Sequence, residues 1–186
     1  ESMKTTTNPF WSRLAINGTM VLALLMIALG LPSTALAATP VNDNFDYAIG
    51  IFNSPKTITM SDTDFNSAID GTNDPNVCGF ANPGVHTIWY YFASPTYGQL
   101  TVDTFGSSFD TILAVWTGTP GNLQSVGCDD DSTSGLQSEV KTSIKPGVKY
   151  YIEVVQYTSG AGPQKIMDMP GPLFSSTYMT LNVNFS

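Results

Sequence analysis

The chain has 186 residues and sets 15 Asp and Glu against 7 Lys and Arg, for a net charge of −8. That balance excludes nucleic acid as a partner, because phosphate binding needs clustered cations, and it disfavours an anionic membrane surface. Two cysteines and a single histidine leave little material for thiol or imidazole chemistry.

Residues 1–37 read as an export signal. Glu1 and Ser2 precede the first methionine, Met3, and read as non-native. Lys4 and Arg13 are followed by an apolar run of 12 residues, Met20 to Leu31, shorter than the roughly 20 needed to span a bilayer. Pro32 and Ser33 end the run, and Ala35-Leu36-Ala37 supplies the small-x-small pattern of a signal peptidase site. The predicted cut lies between Ala37 and Ala38, and no cysteine follows it to carry a lipid. An uncleaved anchor is the alternative. Residues 38–186 then form one secreted domain, with no membrane span and no arginine.

After the cut the pattern is β throughout. Weak strands are predicted near 48–52 and 57–60. Thr87–Phe92 and Gln99–Phe105 follow. Thr111–Thr117 is nearly all apolar and reads as a central strand covered on both faces. Asn122–Cys128 comes after a Gly118–Gly121 turn. Ser138–Ile144 ends at Lys145-Pro146-Gly147, a type II turn signature. Val148–Tyr157 and Thr177–Phe185 complete eight or nine strands. Such spacing without helices predicts an all-β, jelly-roll-like antiparallel sandwich. Between the last two strands, 159–176 is rich in Gly and Pro yet carries Ile166, Met167, Met169, Leu173 and Phe174. These either tuck over an edge of the core or form an exposed partner interface.

Catalytic material is sparse. His86 stands alone at a strand start, no G-x-S-x-G nucleophile turn is present, and with so many acids any carboxylate pair is unspecific. The expectation is that the chain is not an enzyme. Cys78 and Cys128, in an oxidising compartment, read as a disulfide closing a loop of about 50 residues and stabilising by about 4 kcal/mol. Two free thiols or a metal pair are the alternatives, and zinc lacks ligands here. Asp62-Thr63-Asp64 opens like an EF-hand loop, but Ser67 stands at the sixth position and Asn73 at the twelfth, so that motif fails. Asp129-Asp130-Asp131 is a denser acidic turn, either simply solvated or holding Ca²⁺ through hard oxygen ligands.

The runs Gly106-Ser-Ser-Phe-Asp110-Thr-Ile-Leu-Ala-Val-Trp116-Thr-Gly118 and Leu123 to Asp131 resemble the bacterial pre-peptidase C-terminal domain. So do Asn42-Asp-Asn-Phe45, Ile88-Trp-Tyr-Tyr-Phe92 and Gly147 to Val154. The resemblance implies a secreted, non-catalytic sandwich that binds polymer or aids secretion beside an enzyme, in some members with calcium. Carried over by position, it implies Asp110, Asp129, Asp130 and Asp131 as the metal-site acids. This chain departs from the pattern in lacking a catalytic neighbour, so it is expected to act by association. The first expectation is a structural or adhesive subunit of an extracellular matrix or filament, self-associating or contacting other extracellular proteins. The second is a carbohydrate-binding accessory module for a polysaccharide, with aromatic rings as the platform. Trp89 and Trp116 read as core, so that reading requires other exposed aromatics in a row on one sheet face.

Overall fold

Alternating β-branched and apolar residues, punctuated by Gly, Pro, Asn and Asp, form strands wherever that alternation runs for five residues or more. The computed structural model describes residues 38–65, 68, 74–79, 84–132, 135–157 and 178–186, all within the compact unit Ala37–Ser186. The signal segment and the apolar residues Ile166, Met167, Met169, Leu173 and Phe174 lie outside the described residues. The strands are β1 (Ile49–Ile51), β2 (Lys56–Ser61), β3 (Gly84–Ala93), β4 (Gly98–Asp103), β5 (Thr111–Thr119), β6 (Asn122–Asp129), β7 (Glu139–Ile144), β8 (Lys149–Tyr157) and β9 (Tyr178–Phe185). One short helix, α1 (Asp62–Phe65), and two 3-10 turns, Phe45–Tyr47 and Val77–Gly79, complete the described elements.

The strands form two sheets. Sheet one has the order β1-β3-β8-β5-β6 and sheet two the order β2-β9-β4-β7. Pairing is antiparallel except for the short β1, which runs parallel to β3 with Ile49, Gly50 and Ile51 opposite Tyr90, Tyr91 and Phe92. The fold is therefore the all-β sandwich expected from the pattern. The apolar strand β5 is an inner strand, between β8 and β6, and its first six residues are buried, as its apolar run predicts. β5 is covered on both faces for a local reason: the turn Val77–Gly79 packs on its outer side, which an apolar run alone cannot distinguish from a central place.

Two cores result. The main core lies between the sheets and joins Ile88, Tyr90, Phe92, Leu113, Val115, Ile152 and Val154 of sheet one to Leu100, Val102, Val140, Met179, Leu181 and Val183 of sheet two. A second, smaller core sits on the outer face of sheet one: Trp89, Ile112, Ala114, Trp116 and Val155, closed over by Phe45, Ala48, Val77 and the cysteines. Cys78 and Cys128 are bonded, with their Cα atoms 5.5 Å apart, so the disulfide fastens the covering turn to the edge of β6. The Lys145–Gly147 turn forms as its residues predict, with Gly147 at φ 72°, the left-handed position that a type II turn reserves for glycine.

Candidate functional site

Two regions carry groups that chemistry could use. The first is an acidic corner at one end of the sandwich. Asp110 precedes β5, and Asp130 and Asp131 follow β6 directly. A knot of buried hydroxyls pins them. Ser138 Oγ sits between the carbonyls of Thr111 and Asp130, within reach to donate its one proton to either, Ser138 N donates to Thr104 Oγ1 at 2.9 Å, and the Thr104 and Thr111 hydroxyls are 2.6 Å apart. Thr111 N donates to the Leu136 carbonyl at 2.9 Å, so the segment after the acidic run folds back across the start of β5. Three small polar residues, all fully buried, thus satisfy one another rather than water.

The four predicted acids are not equivalent. Asp129 Oδ2 accepts the Glu139 amide at 2.8 Å and so serves the entry to β7. Asp110 and Asp130 each bury one carboxylate oxygen, Oδ1, that meets no hydrogen-bond donor. Burial first, then the charges of Asp131 and Asp130, push the Asp110 carboxyl up to about 6. Asp130 is raised in the same way, by burial and then by Asp131 and Asp129. The structure therefore brings Asp110, Asp130 and Asp131 within mutual electrostatic reach. The donors are hard oxygens, the class calcium takes, and the two orphaned oxygens fit a cation. Among the described residues no group of three or more His, Cys, Asp or Glu is spaced to hold a metal ion. Any ion would need oxygens other than carboxylates to complete its shell.

The second region is an aromatic row on the outer face of sheet one. Tyr91 of β3 pairs with Tyr151 of β8, and their ring centroids are 6.2 Å apart. Phe52 approaches Tyr91 edge-on at 6.0 Å, and Phe45 tilts against Tyr151 at 4.4 Å. Gly50, opposite Tyr91, makes the row possible, since a Cβ there would lie 2.5 Å from Phe52 Cζ and 2.7 Å from the Tyr91 ring. Lys149 sets its ammonium 4.6 Å from the Tyr91 ring centre, a cation–π contact on an inner ring of the row. Phe52 is 80% exposed and the neighbouring Tyr47 71%. Sequence reasoning missed this row, because it needs the parallel pairing of β1 with β3 to bring Phe52 beside Tyr91. Gly50 inside a weak strand was the available signal.

Trp89 and Trp116 are core, as read from the sequence. Trp116 Nε1 donates to Glu153 Oε2 at 2.7 Å, so a carboxylate only 1% exposed is held by an indole within the second core. His86 stands apart from both regions, with Nδ1 2.7 Å from the Ala68 carbonyl, to which it donates. Among the described residues no helix is long and apolar enough to cross a membrane.

No family model matches the chain, and no curated protein does. Among solved structures it is similar to the pre-peptidase C-terminal domain of a collagenase from Bacillus anthracis. The identity is 16%, the match covers 75% of this chain and 92% of that one, and the TM-score is 0.38. That domain belongs to the family that the sequence motifs resemble.

Proposed function

We propose that the chain is a secreted, non-catalytic β-sandwich module that binds an extracellular polymer, a polysaccharide in the first instance, through the outer aromatic row of sheet one. The observation that carries this reading is the row itself. Phe52, Tyr91, Tyr151 and Phe45 contact one another in succession from the end of β1 across β3 and β8 to the covering turn, with Phe52 exposed and the other three half-buried. Rings fixed by strands offer apolar faces to sugar rings at little conformational cost, and Tyr hydroxyls meet sugar hydroxyls at the rim. No substrate bond needs to be broken for such a role. The test is retention of the full chain on insoluble polysaccharides, with Phe52→Ala and Tyr91→Ala as variants. Each should weaken binding about tenfold, the effect of an aromatic anchor lost from a binding surface. Retention that neither variant changes, or no retention on any polymer, would overturn the proposal.

A second reading is favoured by the acidic corner: a structural or adhesive subunit of an extracellular assembly, stabilised by calcium. The two orphaned oxygens of Asp110 and Asp130 are the motivation. Calcium would neutralise charges that now repel and would supply the partner that these oxygens lack. Asp110 and Asp130 would each contribute a carboxylate oxygen, with oxygens other than carboxylates completing the shell, while Asp129 keeps its amide. Titrating the chain calorimetrically with Ca²⁺ tests this directly. Heat of binding that disappears in Asp110→Asn supports it, and no heat with no rise in melting temperature sinks it.

A further inference from the structure

We infer that the polymer taken by the outer face of sheet one is an acidic polysaccharide, with Lys149 binding the carboxylate of a uronic acid that rests against Phe52. The inference rests on the aromatic row as a polymer-binding face and names the class of polymer.

The subsite is a notch at one end of the row. β3 and β8 set Ala93 opposite Lys149. Ile51, the last residue of β1, stands opposite Phe92, so Phe52 continues that register beside Ala93. Alternation turns Phe52, Ala93 and Lys149 to the same face as Tyr91 and Tyr151. All three are exposed, so a single methyl group separates an open aromatic ring from an open ammonium. Tyr91 forms the back of the notch. Its ring centre lies 6.0 Å from that of Phe52 and 4.6 Å from Lys149 Nζ. One sugar residue can therefore lie over Ala93 with its ring against Phe52 and reach the ammonium with a substituent.

Charge selects the sugar. Among the described residues no carboxylate pairs with Lys149, and the ion pair present is Lys141–Glu139 on sheet two. The cation–π contact of an exposed lysine is weak, whereas a charge-assisted hydrogen bond to a carboxylate is strong. A neutral sugar offers Lys149 hydroxyls alone, so the gain belongs to an acidic one. A second cation is close at hand. Gly147 N donates to the Ser94 carbonyl at 2.9 Å, which seats the turn carrying Lys145 next to Ala93.

The net charge of −8 does not oppose an anion at this place, because the acids gather elsewhere. Tyr157 ends the nine-residue β8 and donates its amide to the Asp110 carbonyl. The acidic corner thus stands about 26 Å from Lys149 along the strand, roughly three Debye lengths at physiological salt. The elements that carry the row hold two acids of their own. Asp46 is exposed at the Phe45 end, and Glu153 is buried and held by Trp116.

Affinity electrophoresis of the full chain tests this, with polygalacturonate and the same polymer methyl-esterified at its carboxylates as probes. A calcium chelator keeps any ion from bridging the acidic corner to the polymer. The acid form should bind about tenfold more tightly, the effect of one charge-assisted hydrogen bond, and the difference should shrink as salt rises. Lys149→Gln should abolish the preference, Lys141→Gln on sheet two should keep it, and Phe52→Ala should weaken both forms. Equal binding of the two forms, or a preference that both lysine variants change alike, would overturn the inference and leave the aromatic row standing. Retention on neutral polymers alone would do the same. No retention on any polymer would remove the row reading as well.

Discussion

The outer faces of the two sheets are built on opposite terms. On sheet one the outward residues are Trp89, Ala114, Trp116, Tyr151 and Glu153, and most are covered by the segment around Phe45 and by the disulfide-tethered turn at Cys78. On sheet two they are Thr57, Thr59, Thr101, Asn182, Asn184 and Lys141, bonded among themselves where they meet: Thr57 donates to Asn182 at 2.8 Å, and Asn182 donates to Asp103 at 2.7 Å. One face is a second core that ends in an open aromatic row. The other is a solvated surface. The difference teaches that the sandwich does not need sheet one's outer face for its main core. That face carries covering segments and exposed rings that a minimal sandwich could omit.

The largest expected effect lies under the cover. Trp116→Ala removes a buried indole and leaves Glu153 without the donor at 2.7 Å. Truncation of a core aromatic and the loss of one donor to a buried carboxylate together should cost about 3–5 kcal/mol, measured by denaturant unfolding. A loss under about 1 kcal/mol would mean that the second core does not stabilise the fold. The disulfide comes next. Cys78 and Cys128 lie 50 residues apart in sequence, so replacing both with Ala should cost up to about 4 kcal/mol by the chain-entropy relation. An unchanged melting point would separate the covering turn from the stability of sheet one.

The same contrast explains what was legible in the sequence. The strands, the disulfide and the burial of both tryptophans follow from local pattern, because alternation, compartment and apolar runs are properties of neighbouring residues. The aromatic row was not legible, since Phe52, Tyr91 and Tyr151 come together only through the register of β1, β3 and β8. The acidic corner was half legible. Three consecutive aspartates announce themselves, and the resemblance added Asp110. The division of labour depends on where the Glu139 amide lies and where the Thr104–Thr111–Ser138 hydroxyls gather, and spacing shows neither. The cover of β5 on both faces was legible as an apolar run, but that one cover is a turn rather than a sheet was not.

The acidic corner lies between the two faces in expected effect. The folded Asp110 carboxyl titrates at about 6 against an ordinary 3.8, so the folded state binds this proton more tightly than the unfolded chain does. The ionised form is penalised in the fold above about pH 6, and the penalty is relieved as pH falls toward 3.8. Stability should therefore rise on acidification through that window. Asp110→Asn should raise the melting temperature at pH 7 and flatten the profile between pH 6 and 4. The size is at most about 1 kcal/mol, because the group is only half-buried and solvent screens the repulsion. If calcium sits there, adding it at pH 7 should reproduce the gain in the natural chain and do nothing in the variant.

The smallest effect belongs to the wet face. Thr101 of β4 points outward between Lys141 of β7 and Asn184 of β9. Thr101→Val keeps the β-branch that suits a strand and removes only a hydroxyl that water can replace. The change in unfolding free energy should stay within about 0.5 kcal/mol, as for substitutions away from buried features. A cost several times larger would break the comparison, since it would require the hydroxyl to be desolvated in the native protein. Sheet two's outer face would then have to be covered too, and the asymmetry between the sheets would belong to the isolated chain rather than to its working state. A null result, set beside the loss at Trp116, would place the stabilising contacts outside the main core on sheet one alone.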